Sequence, residues 1–505
     1  MIYARMVYIV KHGGAYSEAF KSMIGVLTGD SASPGLWNIY FGDLAKWFPA
    51  DNDDVELSGI SMSHIEHADD VALFSTTAAG LQRRLNSFAS WCSANSMVIS
   101  VDKTKWMVFG PLPRKAPSLL VNGNVVDLVH EYKFVGIWFT SVKRHLFEKH
   151  YTLKASKAQG IAHASFTVDS MIGSLPPKEG IQLYMARVDP HLISGCEVVL
   201  DVNLRLVAKL EKPQKRYLRR LLGLHPRSMR AILFTETGLL PIRYRRAILA
   251  LHHAKYWVGL PDDYYAKAAY MSSLRLSSSG NISWASDIRT VLNSFPIPVA
   301  CPLSSLESRE GIDKLISAVE LSCESSMQGE LNRAERTYLL RNRLETDEEG
   351  KLRTVVLRFR HYLRLISVPH RKAFTRFLLS DHDLAVEALR HPGRNRKYHI
   401  PRAWRLCRFC LLDVEDESHA ALVCTAHPHL TPLRAQFFRD VFASQPSLRH
   451  LAMTRSADEF LGALLLDRTV TTRVAKFVHD VLQVFATKEM WVAPEHFNLQ
   501  GWQDE

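Results

Sequence analysis

The sequence lacks any apolar run that approaches the ~18 residues needed for a membrane-spanning helix. It also lacks a secretory signal. The apolar stretch MIYARMVYIVKHGG is divided by Arg5 and is not followed by a small-residue cleavage site, so a strand is predicted there. Repeats of fixed period are absent as well. The 505 residues, 47% of them hydrophobic, suffice for two to four domains with real cores. These features predict a soluble, intracellular protein without a membrane partner.

Acidic residues are outnumbered by basic ones. The chain has 51 Asp and Glu against 63 Lys and Arg, which gives a formal net charge of +12. An excess of this size favours a polyanionic partner such as nucleic acid. A solvated surface with a modest excess of basic side chains is the alternative.

The pattern of apolar residues divides the chain into segments of different character. Short strands alternate with helices in the first segment, which predicts an α+β domain. Serine and proline enrichment in a later segment is typical of a linker. The predicted segments are 1–140 (α+β domain), 141–265 (basic and helical), 266–311 (linker), 312–400 (helical connection), 401–430 (cysteine cluster) and 431–505 (helical tail).

Turn and capping signals place the elements of the first segment. Ser33 is predicted to cap a helix whose first residue is Pro34. ISMSHIEH and VALFS predict a hairpin around Ala68-Asp69-Asp70, and the stretch AYSEAFKSMIG places Glu18 in a helical pattern. Further strands are predicted for MVIS, KWMVFG and YKFVGIWF.

One long basic helix is predicted for NLRLVAKLEKPQKRYLRRLLGL, with an apolar stripe beside a basic one. Pro213 lies in its middle and is expected to kink or split it. The apolar stripe is Leu206, Leu210, Tyr217 and Leu221. The basic stripe is Lys209, Lys212, Arg216 and Arg219.

Asp69 and Asp70 are adjacent carboxylates at the tip of an apolar hairpin. Side by side they repel each other unless a cation lies between them, and strand tips hold carboxylates rigidly enough for the octahedral oxygen ligation of Mg²⁺. Such a site can place two metals ~4 Å apart for phosphoryl transfer. A solvated turn is the alternative for an Asp-Asp dipeptide taken alone.

Four segments in order resemble the palm motifs of reverse transcriptases, most closely those of non-LTR (LINE-like) retrotransposons. They are GDSASPGLWNIY, HADDVALFS, LQRRLNSFASWCSANSMVISVDKTKWMVFG and EYKFVGIWF. The resemblance covers residues 1–140, extends through 141–260 and returns at the cysteine cluster. It implies a partial right-hand polymerase palm, a helical thumb and connection, and a zinc knuckle. It also implies a nuclear RNA-directed DNA polymerase (a nucleotidyltransferase) that extends a primer 3′-hydroxyl on an RNA template, using Mg²⁺ or Mn²⁺ and deoxynucleotides.

The resemblance carries site roles over to matching positions. It implies that Asp69 and Asp70 are the catalytic metal-binding pair and that Lys103 lies near the leaving pyrophosphate. The implied nucleic-acid-binding residues are Gly29, Ser33 and Pro34 beneath the templating base, Asn38 facing the substrate, Phe134 and Gly136 in the hairpin that grips the primer, and Arg216, Arg219 and Arg220 on the duplex backbone. For the arginines, a solvated helix face is the alternative.

The sequence departs from the family at three places. Thr28, which lies outside the residues that the structure describes, stands where many relatives carry Gln, a position that bears on discrimination at the nucleotide pocket. His67 replaces the usual aromatic Tyr or Phe before the aspartates. The family's third carboxylate comes from an earlier strand, but before Gly29 the only acidic residue is Glu18. An N-terminally truncated polymerase, inefficient by itself, is therefore predicted. A non-catalytic nucleic-acid-binding remnant is the alternative, and a complementing chain remains open.

Three of the seven cysteines fall in the pattern Cys407-x2-Cys410-x8-His419-x4-Cys424. Four soft or borderline ligands at this spacing predict a tetrahedral structural Zn²⁺ site. The alternative is three buried thiols beside a surface histidine, and His427 and His429 are possible replacement ligands. The segment also resembles the zinc-binding segment that follows the thumb in LINE-like elements.

The residues just before and within this cluster are basic and aromatic, in the stretch RHPGRNRKYHIPRAWRLCR. Basic side chains interleaved with aromatic ones suit single-stranded or structured RNA. An arginine-rich linker is the alternative. The basic residues are Arg390, Arg394, Arg396, Lys397, Arg402, Arg405 and Arg408, and the aromatic ones are Tyr398 and Trp404.

Overall fold

The computed structural model of the chain describes residues 6–21, 25–27, 29–111, 116–141, 145–341, 343–346, 352–392 and 396–495. The chain divides into two compact units. The N-terminal unit comprises residues 1–150 and 256–283, and the C-terminal unit comprises residues 151–255 and 284–505. Among the helices that are described, none combines the length and apolar character needed to cross a membrane.

Short strands are concentrated in the N-terminal unit, mostly as two-stranded antiparallel hairpins. The exception is a three-stranded sheet in which β9 pairs with antiparallel β8 and parallel β7. The strands are β1 Lys11–His12, β2 Ala15–Tyr16, β3 Val55–Leu57, β4 Ile60–Met62, β5 His64–His67, β6 Asp70–Leu73, β7 Lys105–Trp106, β8 Leu119–Val121, β9 Asn124–Leu128, β10 Glu131–Phe134, β11 Ile137–Thr140, β12 Leu344–Thr346 and β13 Leu352–Thr354.

Helices make up most of the C-terminal unit. Together with the hairpins of the N-terminal unit they confirm the predicted α+β class. They are α1 Ser33–Phe41, α2 Ala78–Ala94, α3 Glu148–Ser165, α4 Asp169–Ile172, α5 Pro177–Leu183, α6 Asp189–Ile193, α7 Leu204–Leu222, α8 Arg230–Thr237, α9 Ile242–Val258, α10 Tyr265–Ser278, α11 Trp284–Asn293, α12 Arg309–Arg333, α13 Val368–Leu378, α14 Ala385–Ala388, α15 Leu430–Ser444, α16 Ser447–Thr454, α17 Ala457–Leu466 and α18 Thr471–Ala486.

Helix α2 organises the core of the N-terminal unit because its two apolar faces pack on different neighbours. One face, which includes Leu85, packs with the buried Trp106 and the sheet residues of β8 and β9. The other face, which includes Trp91, packs with Phe41 of α1. The side chain of Thr77 caps the helix by accepting the Gly80 N–H at 3.0 Å. Helix α1 is therefore fixed against α2 by aromatic burial.

Three local predictions in this unit are wrong. Ser33 is the first residue of α1 rather than its cap, because its hydroxyl donates to the Leu27 carbonyl at 2.6 Å and leaves Ala32 at the cap position. Glu18 lies in non-helical chain beside Phe20, which forms an antiparallel bridge with Tyr8. The MVIS segment forms no strand.

Helix α7 follows the predicted apolar stripe closely. Leu206, Leu210, Tyr217 and Leu221 are all buried. Pro213 does not split the helix, which runs unbroken from Leu204 to Leu222 with the proline ring buried. Packing of the flanking stripe therefore outweighs the loss of one backbone hydrogen bond at the proline.

The serine- and proline-rich residues 266–311 are not the predicted linker but contain α10, α11 and the start of α12. Many of the serines have structural roles in or beside helices. The side chain of Ser308 caps α12 by accepting the Gly311 N–H at 3.1 Å. The Ser283 hydroxyl donates to the Ser273 carbonyl at 2.8 Å. The composition therefore misled the prediction, because capping serines resemble linker serines in sequence.

A buried charged cluster around Glu236 joins α8 to the segment near Arg360. Glu236 has no exposed surface and receives two hydrogen bonds from Arg343, at 2.6 and 3.0 Å, and one from the Tyr362 hydroxyl at 2.8 Å. Burial raises the pKa of Glu236, but Arg343 and Arg360 outweigh it and lower that pKa to about 2. Glu236 therefore stays ionised inside the C-terminal unit.

Candidate metal and nucleic-acid sites

Asp69 and Asp70 lie on the turn of the predicted hairpin. Strands β5 and β6 pair with His67 opposite Asp70, so Ala68 and Asp69 form a two-residue loop. Ala68 has φ of +55°, a left-handed conformation that costs roughly 1–2 kcal/mol for a residue other than glycine. Both carboxylates are exposed. The hairpin prediction is confirmed.

Trp37 of α1 fixes this turn. Its indole Nε1 donates to the Ala68 carbonyl at 2.9 Å, and its ring stacks on Phe41 with centroids 4.7 Å apart. Val71, next to Asp70, packs into the same core cluster. The helix that carries the predicted template residues is thus joined to the aspartate turn. Sequence reasoning missed Trp37, because an aromatic residue in an amphipathic helix is ordinarily just part of the core.

The two carboxylates fit a hard divalent cation. Within the described ranges, neither Asp69 nor Asp70 forms an ion pair or side-chain hydrogen bond, so their charges are not neutralised by the protein. Adjacent exposed carboxylate oxygens are the ligands that Mg²⁺ prefers. In the part of the chain that the structure describes, no third acidic, histidine or cysteine side chain joins them in a cluster.

Most of the other predicted residues of this unit lie at turns or on helix surfaces, but Ser33 is buried. Gly29 has φ of +88° with open space around its Cα, and Asn38 is exposed on α1. Lys103 is exposed in the turn that follows Ser100. Phe134 ends β10, and Gly136 lies in the β10–β11 turn.

The turn between β10 and β11 has a demanding backbone. Val135 and Gly136 form its two-residue loop with φ of +44° and +84°, which is the pattern of a type I′ hairpin. Positive φ is a genuine outlier for a β-branched residue. Gly136 meets this requirement without strain, whereas Val135 is held there with 49% of its surface exposed.

The three arginines of α7 differ in their availability. Arg219 is half-buried and donates to the hydroxyl and carbonyl of Ser228 at 3.1 and 2.9 Å, so it supports a turn of the protein itself. Arg216 is exposed and donates to the Gln159 side chain at 3.3 Å. Arg220 is exposed and pairs with Asp169 at 3.2 Å.

Cys407, Cys410, His419 and Cys424 form one cluster, with their ligand atoms all within 4.8 Å of one another. The Cys407 and Cys424 sulfurs are 3.7 Å apart, and the Cys410 sulfur is 3.4 Å from His419 Nε2. Around a tetrahedral zinc ion with ordinary bond lengths, two sulfur ligands lie about 3.8 Å apart, and a sulfur and a nitrogen ligand lie about 3.6 Å apart. The donor set and its spacing therefore fit Zn²⁺.

The surroundings of the cluster also suit a bound metal. Asp413 lies 3.6 Å from His419 Nδ1, which leaves Nε2 facing the sulfurs in the usual carboxylate–histidine–metal order. Burial raises the pKa of the Cys407 thiol, while the backbone N–H groups of Phe409 and Cys410 act in the opposite direction and favour a thiolate. Burial lowers the pKa of His419, which keeps the imidazole neutral as a ligand.

His427 does not belong to this group of four. Its ring packs on Phe409, with centroids 4.7 Å apart, and on His429 at 5.3 Å. Among the described residues, the close cluster contains neither histidine.

A buried ion pair anchors the cysteine turn to the rest of its unit. Arg408 contacts both oxygens of Glu415, and its guanidinium also donates to the carbonyls of Phe485, Lys488 and Asp383 at 2.7–3.0 Å. The Glu415 carboxylate in turn accepts the Ala385 N–H at 2.8 Å. Because each group is satisfied, burial of this pair is tolerated.

The basic stretch before the cysteines is used largely inside the protein, contrary to the RNA-binding interpretation. Arg405 and Arg408 are buried, and Arg405 donates to the carbonyls of Ile400 and Val386. Arg402 pairs with Asp416 at 2.9 Å. Tyr398 and Trp404 pack in a core cluster, Arg396 donates to backbone carbonyls, Arg390 faces Glu387, Lys397 is exposed, and Arg394 lies outside the described residues.

Paired carboxylates on an exposed turn, beside a helix that carries the exposed Asn38, can hold a divalent cation. Residues 3–139 match the family described as reverse transcriptase (RNA-dependent DNA polymerase). The resemblance of this segment to reverse transcriptases, which its motifs indicated, is thus confirmed.

Two curated relatives are similar to the chain, both named RNA-directed DNA polymerase from mobile element jockey. The protein of Drosophila funebris is 24% identical over 207 residues, which cover 39% of this chain and 22% of the relative. The protein of Drosophila melanogaster is 23% identical over 221 residues, which cover 41% of this chain and 23% of the relative. The matched region thus spans less than a quarter of the length of these relatives.

Proposed function

We propose that this protein serves a LINE-like retrotransposon as an RNA-directed DNA polymerase whose Asp69–Asp70 turn is the divalent-metal part of the active site. The observation that carries this proposal is the exposed, unneutralised aspartate pair, fixed to α1 by Trp37 within the residues that match the family. We further propose that residues 1–140 are a partial palm and that 141–265 act as a thumb. RNA template, DNA primer and deoxynucleotides are the proposed partners, and the nucleus the proposed location.

The residues of the chain have distinct proposed tasks. Asp69 and Asp70 would hold Mg²⁺ or Mn²⁺, and Lys103 would donate a hydrogen bond or a proton to the leaving pyrophosphate. A bound divalent cation activates the primer 3′-hydroxyl and neutralises the charge that develops on the phosphate. The α1 surface around Asn38 would lie beneath the template, and the Phe134–Gly136 turn would hold the primer end.

The activity of this chain by itself is expected to be weak. Two carboxylates provide fewer oxygen ligands than a two-metal site uses, and the described residues add no third group beside them. Each ~1.4 kcal/mol of lost transition-state stabilisation lowers the rate tenfold. A loss of several kcal/mol of transition-state stabilisation would therefore leave slow primer extension rather than none.

Primer extension on an RNA template tests this function. The chain should extend an annealed DNA primer slowly in Mg²⁺ or Mn²⁺, and Asp69→Ala should lower the rate about tenfold or more because it removes a metal ligand. Glu56→Ala, an exposed acidic residue of the same unit, is the control and should extend like wild type. Extension by wild type that does not exceed Asp69→Ala contradicts the proposal.

A second candidate function, non-catalytic binding of nucleic acid, is favoured by the distribution of charge. The chain has 63 basic and 51 acidic residues. The N-terminal unit contains 16 basic and 16 acidic residues, which leaves 47 basic and 35 acidic residues in the C-terminal unit. The whole excess of positive charge is therefore in the unit that lacks the aspartate pair. This candidate would be supported by two results together. The Asp69→Ala variant should still bind nucleic acid, with an affinity that falls steeply with salt, and wild type should extend the primer no faster than that variant.

A further inference from the structure

A polar cavity of about 350 Å³ opens in the C-terminal unit beside α7. Arg220 and Lys372 line it together with Asp169 and the Gly173–Ser174 turn. The basic excess of this unit thus includes two cations that share one cavity.

Asp169 is already fully engaged. Arg220 Nη2 lies 3.2 Å from one of its carboxylate oxygens, and the Leu175 N–H donates to the other at 3.0 Å. The guanidinium of Arg220 also lies over the Phe166 ring at 4.3 Å, which fixes its plane. Arg220 therefore keeps donors directed away from Asp169, in a defined orientation.

Lys372 adds a second cation without a carboxylate of its own. It is half-buried, and its ammonium has no ion pair or hydrogen bond among the described residues. Its stem packs against Gly223, where an added Cβ would approach the lysine Cγ to 3.2 Å. Gly223 also has φ of +69° as the cap of α7, a conformation that favours glycine.

The remaining polar groups of the cavity wall are donors as well. In the part of the chain that the structure describes, the Ser174 hydroxyl and the backbone N–H groups of Gly173 and Ser174 have no acceptor. The cavity lining thus combines two cations and further N–H and O–H donors with one carboxylate whose two oxygens already accept hydrogen bonds. This arrangement suits a tetrahedral oxyanion.

We propose that this cavity binds a phosphate group of a nucleic-acid strand, with Lys372 and Arg220 as its cationic ligands. The proposal rests on the proposed function, which supplies the strand. Lys212 and Arg216 precede Arg220 at four-residue intervals and are exposed, so they continue a line of cations along α7 at about 6 Å per step. A strand that follows this line would bring one phosphate into the cavity.

Binding of a fluorescent RNA–DNA hybrid to the full chain, measured by anisotropy over a salt series, tests the proposal. Lys372→Met removes the charge but keeps the stem on Gly223, and Lys314→Met, an exposed lysine of α12, is the matched control. Lys372→Met should weaken binding about three- to tenfold at ~0.1 M salt and reduce the slope of log K against log salt by about 1. The control should bind like wild type.

The possible failures are distinguishable. If wild type binds the hybrid and Lys372→Met matches Lys314→Met, the cavity proposal fails and the proposed function stands. If wild type does not bind the hybrid, both fail. Inorganic phosphate is the second probe: calorimetric binding of phosphate that Lys372→Met abolishes, with unchanged hybrid affinity, would assign the cavity to a free phosphate and overturn the proposal.

Discussion

The purified protein should contain about one equivalent of zinc, and Cys407→Ser should reduce that content below half an equivalent. The free energy of unfolding of the C-terminal unit should fall by several kcal/mol, because zinc contributes about 10–16 kcal/mol in zinc-finger peptides. Cys407 is fully buried and contacts Cys424, so no solvent-exposed ligand replaces it readily. Metal analysis by mass spectrometry and thermal unfolding measure both effects.

The controls separate metal loss from general damage. Cys301→Ser changes a half-buried cysteine outside the cluster and should keep its zinc. Asp413→Asn removes only the carboxylate beside His419 Nδ1 and should weaken zinc affinity by about 10- to 100-fold. A chelator-treated wild type that retains its melting temperature, or a Cys407→Ser protein with a full equivalent of zinc, would contradict the assignment.

Glu236→Gln should destabilise the C-terminal unit by about 3–5 kcal/mol, because it leaves Arg343 and Arg360 buried without their counter-charge. The glutamine amide has the same shape as the carboxylate, so the decrease in the free energy of unfolding comes from the lost charge and not from a change of volume. Denaturant unfolding followed by circular dichroism measures it. Glu320→Gln, at an exposed position in the middle of α12, is the control and should change stability by less than about 0.5 kcal/mol.

The same residue predicts a pH dependence. Arg343 and Arg360 lower the pKa of Glu236 from its ordinary value of 4.5 to about 2 in the folded protein, so its contribution to stability is fully present above pH 4.5 and is lost as pH falls toward 2. The Glu236→Gln variant should not show this loss of stability between pH 4.5 and 2. Equal loss of stability for wild type and variant between pH 4.5 and 2 would show that Glu236 is not held ionised by the arginines.

Much of the site could be predicted from sequence because its signals are local. The aspartate hairpin follows from two apolar runs around a short polar turn, and the cluster of three cysteines and His419 follows from their spacing. The apolar stripe of α7 was predicted correctly because all four of its residues are buried on one face. Each of these depends on residues close together in the chain.

The rest of the fold and of the site depends on contacts between residues that are far apart in the sequence. Arg405 and Arg408 look like surface cations until the fold brings carbonyls and Glu415 around them. The hydrogen bond from Trp37 to Ala68 spans 31 positions of sequence, so no pattern around either residue indicates it. The cavity of Lys372 and Arg220 likewise joins residues that lie far apart in the chain.

The central claim is that Asp69 and Asp70 bind a divalent metal, and a Mn²⁺ titration followed by electron paramagnetic resonance tests it most directly. Wild type should bind about one more Mn²⁺ per chain than Asp69→Asn, and Glu56→Gln should match wild type. Identical titrations for wild type and Asp69→Asn would contradict the claim, because the aspartate turn would then hold no metal.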